Sequence, residues 1–300
     1  MDQSAPRNAT SNNAKMAIVS VASIDYYTIL EGSLNAPLVV LIHALMANHH
    51  IYDSTVIRLH AAGYRTLRYD HVGHNQTPPP KEPSLNKQGA YAFDDFCRHI
   101  NKIIITVAPS TTPAAIIGCS IGGVLAIRYH MLYPPPPGKT TKILSMAAPG
   151  LSTLPQSPPK WKARIEKWQQ DGSVHDLATQ TIERWFPAST ISEIGIEKIC
   201  SIVESCTLDG YQICAWATMN FDYTDQLDQV KDGENMMILA GAEDGNIGPR
   251  EVLVDVSRRI KGSKYVLLDG VGHIPPMHTQ EFEPVMIDFL GSASVPISNM

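Results

Sequence analysis

Several common signals are missing from this 300-residue chain, and each absence removes a class of function. No run approaches the ~18 consecutive apolar residues that a membrane span needs, and no cluster of Lys and Arg could serve as a polybasic anchor. A membrane partner is therefore not expected. Positive charge is also short: 24 Lys and Arg face 29 Asp and Glu, a formal charge of -5 that argues against a nucleic-acid surface. The five cysteines, Cys97, Cys119, Cys200, Cys206 and Cys214, are odd in number and without Cys-x-x-Cys spacing. Buried thiols are expected of them, rather than a disulfide framework or a zinc site. Residues 1–16 are rich in Ser, Asn and Ala and lack the apolar core of a secretory signal. The expectation is a cytoplasmic protein with a disordered N-terminus.

What is present reads as an ordinary soluble globular chain, 44% hydrophobic and 18% charged, long enough for one large α/β domain with an insertion. The stretch Ala114-Ala115-Ile116-Ile117-Gly118-Cys119-Ser120-Ile121-Gly122-Gly123 organises it. An apolar strand runs into a helix through a Gly-x-Ser-x-Gly turn, which pushes the central side chain outward and leaves no room for a Cβ at Gly118 or Gly122. Ser120 is the candidate nucleophile. The backbone N–H of Ile121, at the start of the helix, has no helical acceptor and can meet an oxyanion above the serine.

Two later strands end in the residues such a serine requires. Met236-Met237-Ile238-Leu239-Ala240-Gly241 releases the chain into Ala242-Glu243-Asp244-Gly245, and Tyr265-Val266-Leu267-Leu268 into Asp269-Gly270-Val271-Gly272-His273. Asp244 is the candidate acid and His273 the candidate base. A serine hydroxyl is a poor nucleophile at neutral pH, and imidazole is the side chain whose acidity suits its activation; the carboxylate fixes the ring's tautomer and stabilises its cation. Neither metal nor cofactor is called for. Serine, acid and histidine in this chain order, each just past a strand, is the arrangement of the α/β-hydrolase fold, a mostly parallel doubly wound sheet.

In chain order, Ala17 to Leu30 suggests a hairpin-like pair of edge strands, and Pro37-Leu38-Val39-Val40-Leu41-Ile42 a strand buried mid-sheet. The loop after it, His43-Ala44-Leu45-Met46, is placed to supply the second oxyanion donor, assigned by position to Leu45. His43 reads as a loop-shaping residue, and His49 and His50 as surface or pocket-rim residues. Asp70-His71-Val72-Gly73-His74 invites a catalytic reading of Asp70 or His74, but strand-end polar residues this early usually tie loops together. Tyr91 to Val107 reads as an amphipathic helix, and Pro134-Pro135-Pro136-Pro137 stops the helix that follows Ser120.

From Leu151 to about Asp232 the pattern changes to short helical segments rich in aromatics. The expected organisation is a core of residues 17–150 and 233–290, with residues 151–232 as a helical lid over the serine. Most lid aromatics should form its own small core. Met46, Trp161, Arg164, Trp185, Tyr211 and Trp216 are the candidates to line a substrate pocket. The aromatic lid favours an apolar or ring-bearing substrate over a highly charged one, although Arg164 or Arg184 could serve a carboxylate.

Gly118-Cys119-Ser120-Ile121-Gly122-Gly123, Trp161-Lys162-Ala163-Arg164-Ile165, Arg184-Trp185-Phe186-Pro187, the Tyr211 to Trp216 stretch and Leu239-Ala240-Gly241-Ala242-Glu243-Asp244 together resemble the 3-oxoadipate enol-lactonases over roughly residues 25–290. The resemblance implies cofactor-free hydrolysis of an enol-lactone, with Ser120, Asp244 and His273 at the matching catalytic positions. His43-Ala44-Leu45-Met46 departs from the usual glycine-containing turn, and the proline run after Tyr133 and the Thr77 to Pro83 loop are unusual, which argues against assuming the same substrate. The function expected is a serine hydrolase of a lactone or small ester acting on a small-molecule partner. The alternatives are an acyltransferase, a polyketide-releasing or C–C bond hydrolase using the same residues, and a non-catalytic ligand-binding protein. Oligomeric state is not legible.

Overall fold

The computed structural model describes residues 14–82, 89–244 and 247–291. Eight strands form one sheet: β1 (Lys15–Val21), β2 (Ile24–Glu31), β3 (Leu38–Ile42), β4 (Arg65–Tyr69), β5 (Ala115–Cys119), β6 (Lys142–Met146), β7 (Met236–Gly241) and β8 (Lys264–Leu268). Their spatial order is β1-β2-β4-β3-β5-β6-β7-β8. Pairings of β1 with β2 and of β2 with β4 are antiparallel, and the rest are parallel. This is the α/β-hydrolase fold.

Every residue of β3, β4, β5 and β7 is buried, so helices must cover both faces of the sheet. That burial is why these strands read as unbroken apolar runs; each fully buried aliphatic side chain contributes about 1.5–3 kcal/mol. The covering helices are α1 (Asp53–Ala61), α2 (Phe93–Val107), α3 (Ile121–Leu132), α9 (Arg250–Arg259) and α10 (Thr279–Leu290). Helix α3 is buried continuously from Ile121 to His130: the run to Ile127 has no charged residue, and the buried Arg128 and His130 are met by Asp94 (2.7 Å) and Asp232 (2.9 Å).

Between β6 and β7 the chain makes five further helices: α4 (Ser157–Asp171), α5 (His175–Trp185), α6 (Ala188–Ile194), α7 (Ile196–Val203) and α8 (Leu208–Thr218). Their root is stitched to the loop after β4. Thr207 donates from N (2.8 Å) and Oγ1 (2.9 Å) to the Gly73 carbonyl, and Asn75 N–H donates to Ser205 O (2.9 Å).

The expected N-terminal boundary needs correction. Lys15 and Met16 pair with Leu30 and Ile29 within β1, because a strand partner satisfies their backbone groups regardless of their polar neighbours. Residues 1–13 of the expected disordered N-terminus, Pro83 of the proline-rich loop and Gly245 of the acid loop lie outside the described residues. The last helix, from Thr279 to Leu290, holds Pro284 inside it. All five cysteines are free.

The parallel register aligns the carboxyl ends of the strands along one edge. Ile42 lies beside Gly118, Cys119 beside Met146 and Gly241 beside Leu268. The loops leaving these ends carry Leu45, Ser120, Asp244 and His273, so four residues distant in sequence converge above one edge of the sheet.

Candidate active site

Ser120 is the single residue between β5 and α3, held at φ 58°, ψ -118°. A non-glycine residue there carries strain of order 1–3 kcal/mol, which the surroundings must impose. They do so by close approach. A Cβ on Gly118 would lie 1.9 Å from the Gly122 carbonyl oxygen, and one on Gly122 would lie 2.2 Å from that of Ile42. Ser120 N–H donates to Met146 O (2.8 Å), and the Ser120 carbonyl accepts from Gly123 (2.9 Å) and Val124 (3.3 Å), leaving Ile121 N–H without an acceptor among the described residues. Ser120 itself is 6% exposed, open only to the cavity above it.

His273 and Asp244 meet directly. His273 Nδ1–H donates to Asp244 Oδ2 at 2.8 Å, and both side chains are 1% exposed. Asp244 accepts further from Ile247 N–H on Oδ1 (3.3 Å) and Gly248 N–H on Oδ2 (3.2 Å), which orient the carboxylate. With Nδ1 committed, Nε2 is the ring nitrogen left to exchange a proton, and His273 and Ser120 line the same cavity. The base loop is braced from the helical insertion: His273 N–H donates to Trp185 O (2.7 Å), and the Trp185 and His273 ring centroids are 5.8 Å apart. Below, Gly272 N–H donates to His278 Nε2 (3.1 Å).

The loop after β3 brings Leu45 to the cavity. Met46, at φ 62°, occupies a left-handed conformation usually left to glycine, and its N–H donates to His74 Nε2 (3.1 Å). Leu45 N–H has no acceptor among the described residues. The free amides of Leu45 and Ile121 are thus available as oxyanion donors, whereas that of Met46 is taken. Beneath this loop three buried imidazoles interlock. His43 Nδ1–H donates to Ala44 O (2.8 Å) and its Nε2 accepts from His71 N–H (2.8 Å); His71 Nε2–H donates to His43 O (2.9 Å); His74 Nδ1–H donates to Val72 O (2.9 Å). Burial pushes His71 down to about 3 and His74 to about 4, and holds His43 well below its ordinary value, so all three are neutral.

A cavity of about 300 Å³ stands over Ser120. Of the candidate pocket residues, Met46, Trp161, Arg164, Trp185 and Tyr211 line it. Trp216 does not, and that expectation is corrected: five residues past Tyr211 on α8, it lies about 140° further round the helix and packs partly buried against the core. Sequence reasoning missed Thr181, Thr218 and Ile247, which also line the cavity. Helical spacing could have found two of them, since Thr181 is one turn before Trp185 and Thr218 two turns after Tyr211.

The other polar residues of the early loops stand elsewhere. Asp70 accepts from His49 N–H (2.9 Å), lies 2.8 Å from His49 Nδ1 and accepts from Asn75 Nδ2 (3.0 Å). His49 is buried there instead of lying at the surface or pocket rim, because the Asp70 carboxylate draws it inward; His50 is exposed. Among the described residues no group of three or more His, Cys, Asp or Glu is arranged to hold a metal ion, and no helix is long and apolar enough to cross a membrane.

A serine and a carboxylate-anchored imidazole lining one cavity, with two free amides beside them, are a set of groups suited to acyl transfer to water. Comparison with known proteins agrees in architecture. The 30 kDa subunit of the Rhodobacter capsulatus magnesium chelatase is 26% identical over 179 residues, covering 54% of this chain and only 58% of that protein. The AB hydrolase superfamily protein YisY of Bacillus subtilis is 24% identical over 242 residues, 78% of this chain and 84% of that protein. A solved enol-lactonase from Burkholderia xenovorans superposes with a TM-score of 0.78 at 20% identity, over 91% of this chain and 99% of its own. The alpha/beta hydrolase fold family matches residues 37–190, half of the chain, and to that family the chain belongs.

Proposed function

We propose that this protein hydrolyses a lactone or small carboxylic ester through an acyl-enzyme on Ser120. The observation that carries this reading is the buried 2.8 Å contact of His273 with Asp244, opening onto the same cavity as a serine in a strained strand-to-helix turn. A buried, oriented imidazole–carboxylate contact of this kind serves little purpose for folding, where a hydrophobic pair would do as well. It matches what a general base requires.

In the proposed reaction the Ser120 hydroxyl gives its proton to His273 Nε2 as Oγ attacks the acyl carbon. The Leu45 and Ile121 amides meet the resulting oxyanion, each contributing roughly 3–4 kcal/mol by analogy with donors removed elsewhere. His273 returns the proton to the departing oxygen. A water molecule then attacks the acyl-enzyme, gives its proton to the same nitrogen, and the acid leaves as Ser120 is reprotonated. In a lactone the departing oxygen stays tethered to the acyl chain, so the helices α4–α8 act as a lid that limits re-closure until water arrives. The enol-lactonase likeness in fold supports the lactone side of this reading.

Replacing Ser120 by Ala should lower kcat on a 4-nitrophenyl ester by three orders of magnitude or more, roughly the scale of removing such a nucleophile, without shifting the thermal unfolding transition. Turnover retained by the folded variant would remove the proposal.

A further inference from the structure

A second cavity opens at the opposite edge of the sheet from Ser120, where β3, β4 and β5 begin. The segments that line it are tied together by their backbones: Arg65 N–H donates to Pro37 O (2.9 Å) and Ala114 N–H to Leu38 O (2.8 Å). The space is about 410 Å³, and Arg65, Lys139, Ser110, Thr111, Thr112 and Thr140 supply its polar lining. Among the described residues no Asp or Glu lines it.

Arg65, the first residue of β4, is 8% exposed and makes one side-chain hydrogen bond, from Nη2 to Thr111 Oγ1 (3.0 Å). Its Nε–H is buried and has no acceptor, and no carboxylate pairs with the guanidinium among the described residues. Arg68, three residues along the same strand, shows the ordinary arrangement: Glu31 (2.8 Å) and Asp53 (2.6 Å) balance it. Burial holds the Arg65 pKa below its usual value with no neighbouring carboxylate raising it, and the group stays cationic at neutral pH. A buried cation with an orphan donor is costly unless something supplies an acceptor and negative charge. Lys139, exposed at the rim, adds a second positive charge without an ion pair among the described residues, and the hydroxyls of Ser110, Thr112 and Thr140 have no partner there either.

Two cations and a set of hydroxyl donors around a space without acids suit a ligand with several acceptor oxygens on one centre. A phosphoryl group brings three such oxygens and a charge of roughly -1.5 to -2, whereas a carboxylate brings two oxygens and a single charge. We propose that this cavity binds a phosphoryl group, of inorganic phosphate or of a small phosphate monoester, with Arg65 and Lys139 as its charge partners and the hydroxyls of Ser110, Thr112 and Thr140 donating to its oxygens. The strands β3 and β5, five residues each, run from this site to the loops that carry Leu45 and Ser120, so the two cavities stand roughly 15 Å apart. The phosphoryl site is independent of the hydrolase reading.

Isothermal titration calorimetry with inorganic phosphate, phenyl phosphate and phenol tests it, in about 0.15 M salt so that exposed charges beyond ~8 Å are screened. Both phosphates should bind the wild-type protein, and phenol should not. Lys139→Glu, at an exposed position, should weaken phosphate binding by about tenfold or more, the scale of a charge-assisted hydrogen bond. Arg65→Gln should do the same, and thermal unfolding checks that each variant folds. Arg184→Gln, in the cavity over Ser120, should leave the binding unchanged. No binding of either phosphate by the wild-type protein, binding unmoved by Lys139→Glu, binding lost in Arg184→Gln, or phenol bound as tightly as phenyl phosphate overturns the proposal. Within a sustained result, tighter binding of phenyl phosphate identifies a monoester whose organic part lies against Leu34 and Pro37, which also line the space, and equal affinity identifies phosphate itself.

Discussion

Asp244 acts at one remove: its carboxylate touches His273 and two backbone amides, and it does not line the cavity. Its part in the proposed chemistry is to keep the proton of the neutral ring on Nδ1 so that Nε2 can accept. Asp244→Asn preserves shape but lets the amide present a donor to Nδ1, favouring the wrong tautomer. A loss of roughly 10³- to 10⁴-fold in kcat with little change in KM is expected from steady-state kinetics; an unchanged kcat would show that the contact only holds loops together. At this scale the sequence was most legible where chemistry and strand ends coincide, at Ser120, Asp244 and His273. It misled where a side chain's direction depends on helical phase. Trp216 was chosen for its ring and lies outside the cavity, whereas Arg184, weighed equally with Arg164 as a carboxylate partner, lines it.

Between elements, the loops after β3 and β4 are locked by histidines that work as hydrogen-bond acceptors. His43 accepts from His71 N–H and His74 from Met46 N–H, and a protonated ring could accept neither. In the unfolded chain these histidines titrate near 6.5, while in the fold His71 waits until about 3 and His74 until about 4. The unfolded state therefore takes up protons first as pH falls. Stability should be intact above pH 6.5 and decline from there towards pH 4, each such histidine contributing a slope of up to about 1.4 kcal/mol per pH unit. Urea unfolding midpoints between pH 8 and 5, above the range of most carboxylates, measure it. His74→Gln, whose side-chain carbonyl can accept from Met46 without titrating, should flatten the slope, and an equal slope in both proteins would contradict the account. The loop-tying role was legible in outline, with His43 read as loop-shaping and the Asp-x-x-Gly-His residues as loop ties, but only the juxtaposition of two loops shows the imidazoles facing backbone amides.

Across the whole molecule, the unbroken apolar runs of β3, β5 and β7 identified a parallel sheet because burial on both faces leaves no polar alternation to confuse the reading. Strand order and the convergence of loops follow from the parallel register, which no single stretch encodes. The insertion α4–α8 was legible as a change of composition, while its anchorage to the core through Gly73–Thr207 and His273–Trp185 depends on backbone contacts that side-chain pattern does not reveal. The sheet edge and the insertion together enclose one cavity in which a serine, an imidazole and two guanidiniums face a common space. The claim that this enclosure is a hydrolytic site is tested most directly by treating the intact protein with an aryl fluorophosphonate and locating the adduct by peptide mass spectrometry. The account predicts one phosphonyl group per chain, on Ser120, with labelling slowed severely in a folded His273→Ala variant; an unlabelled native protein, or an adduct on another residue, would contradict it.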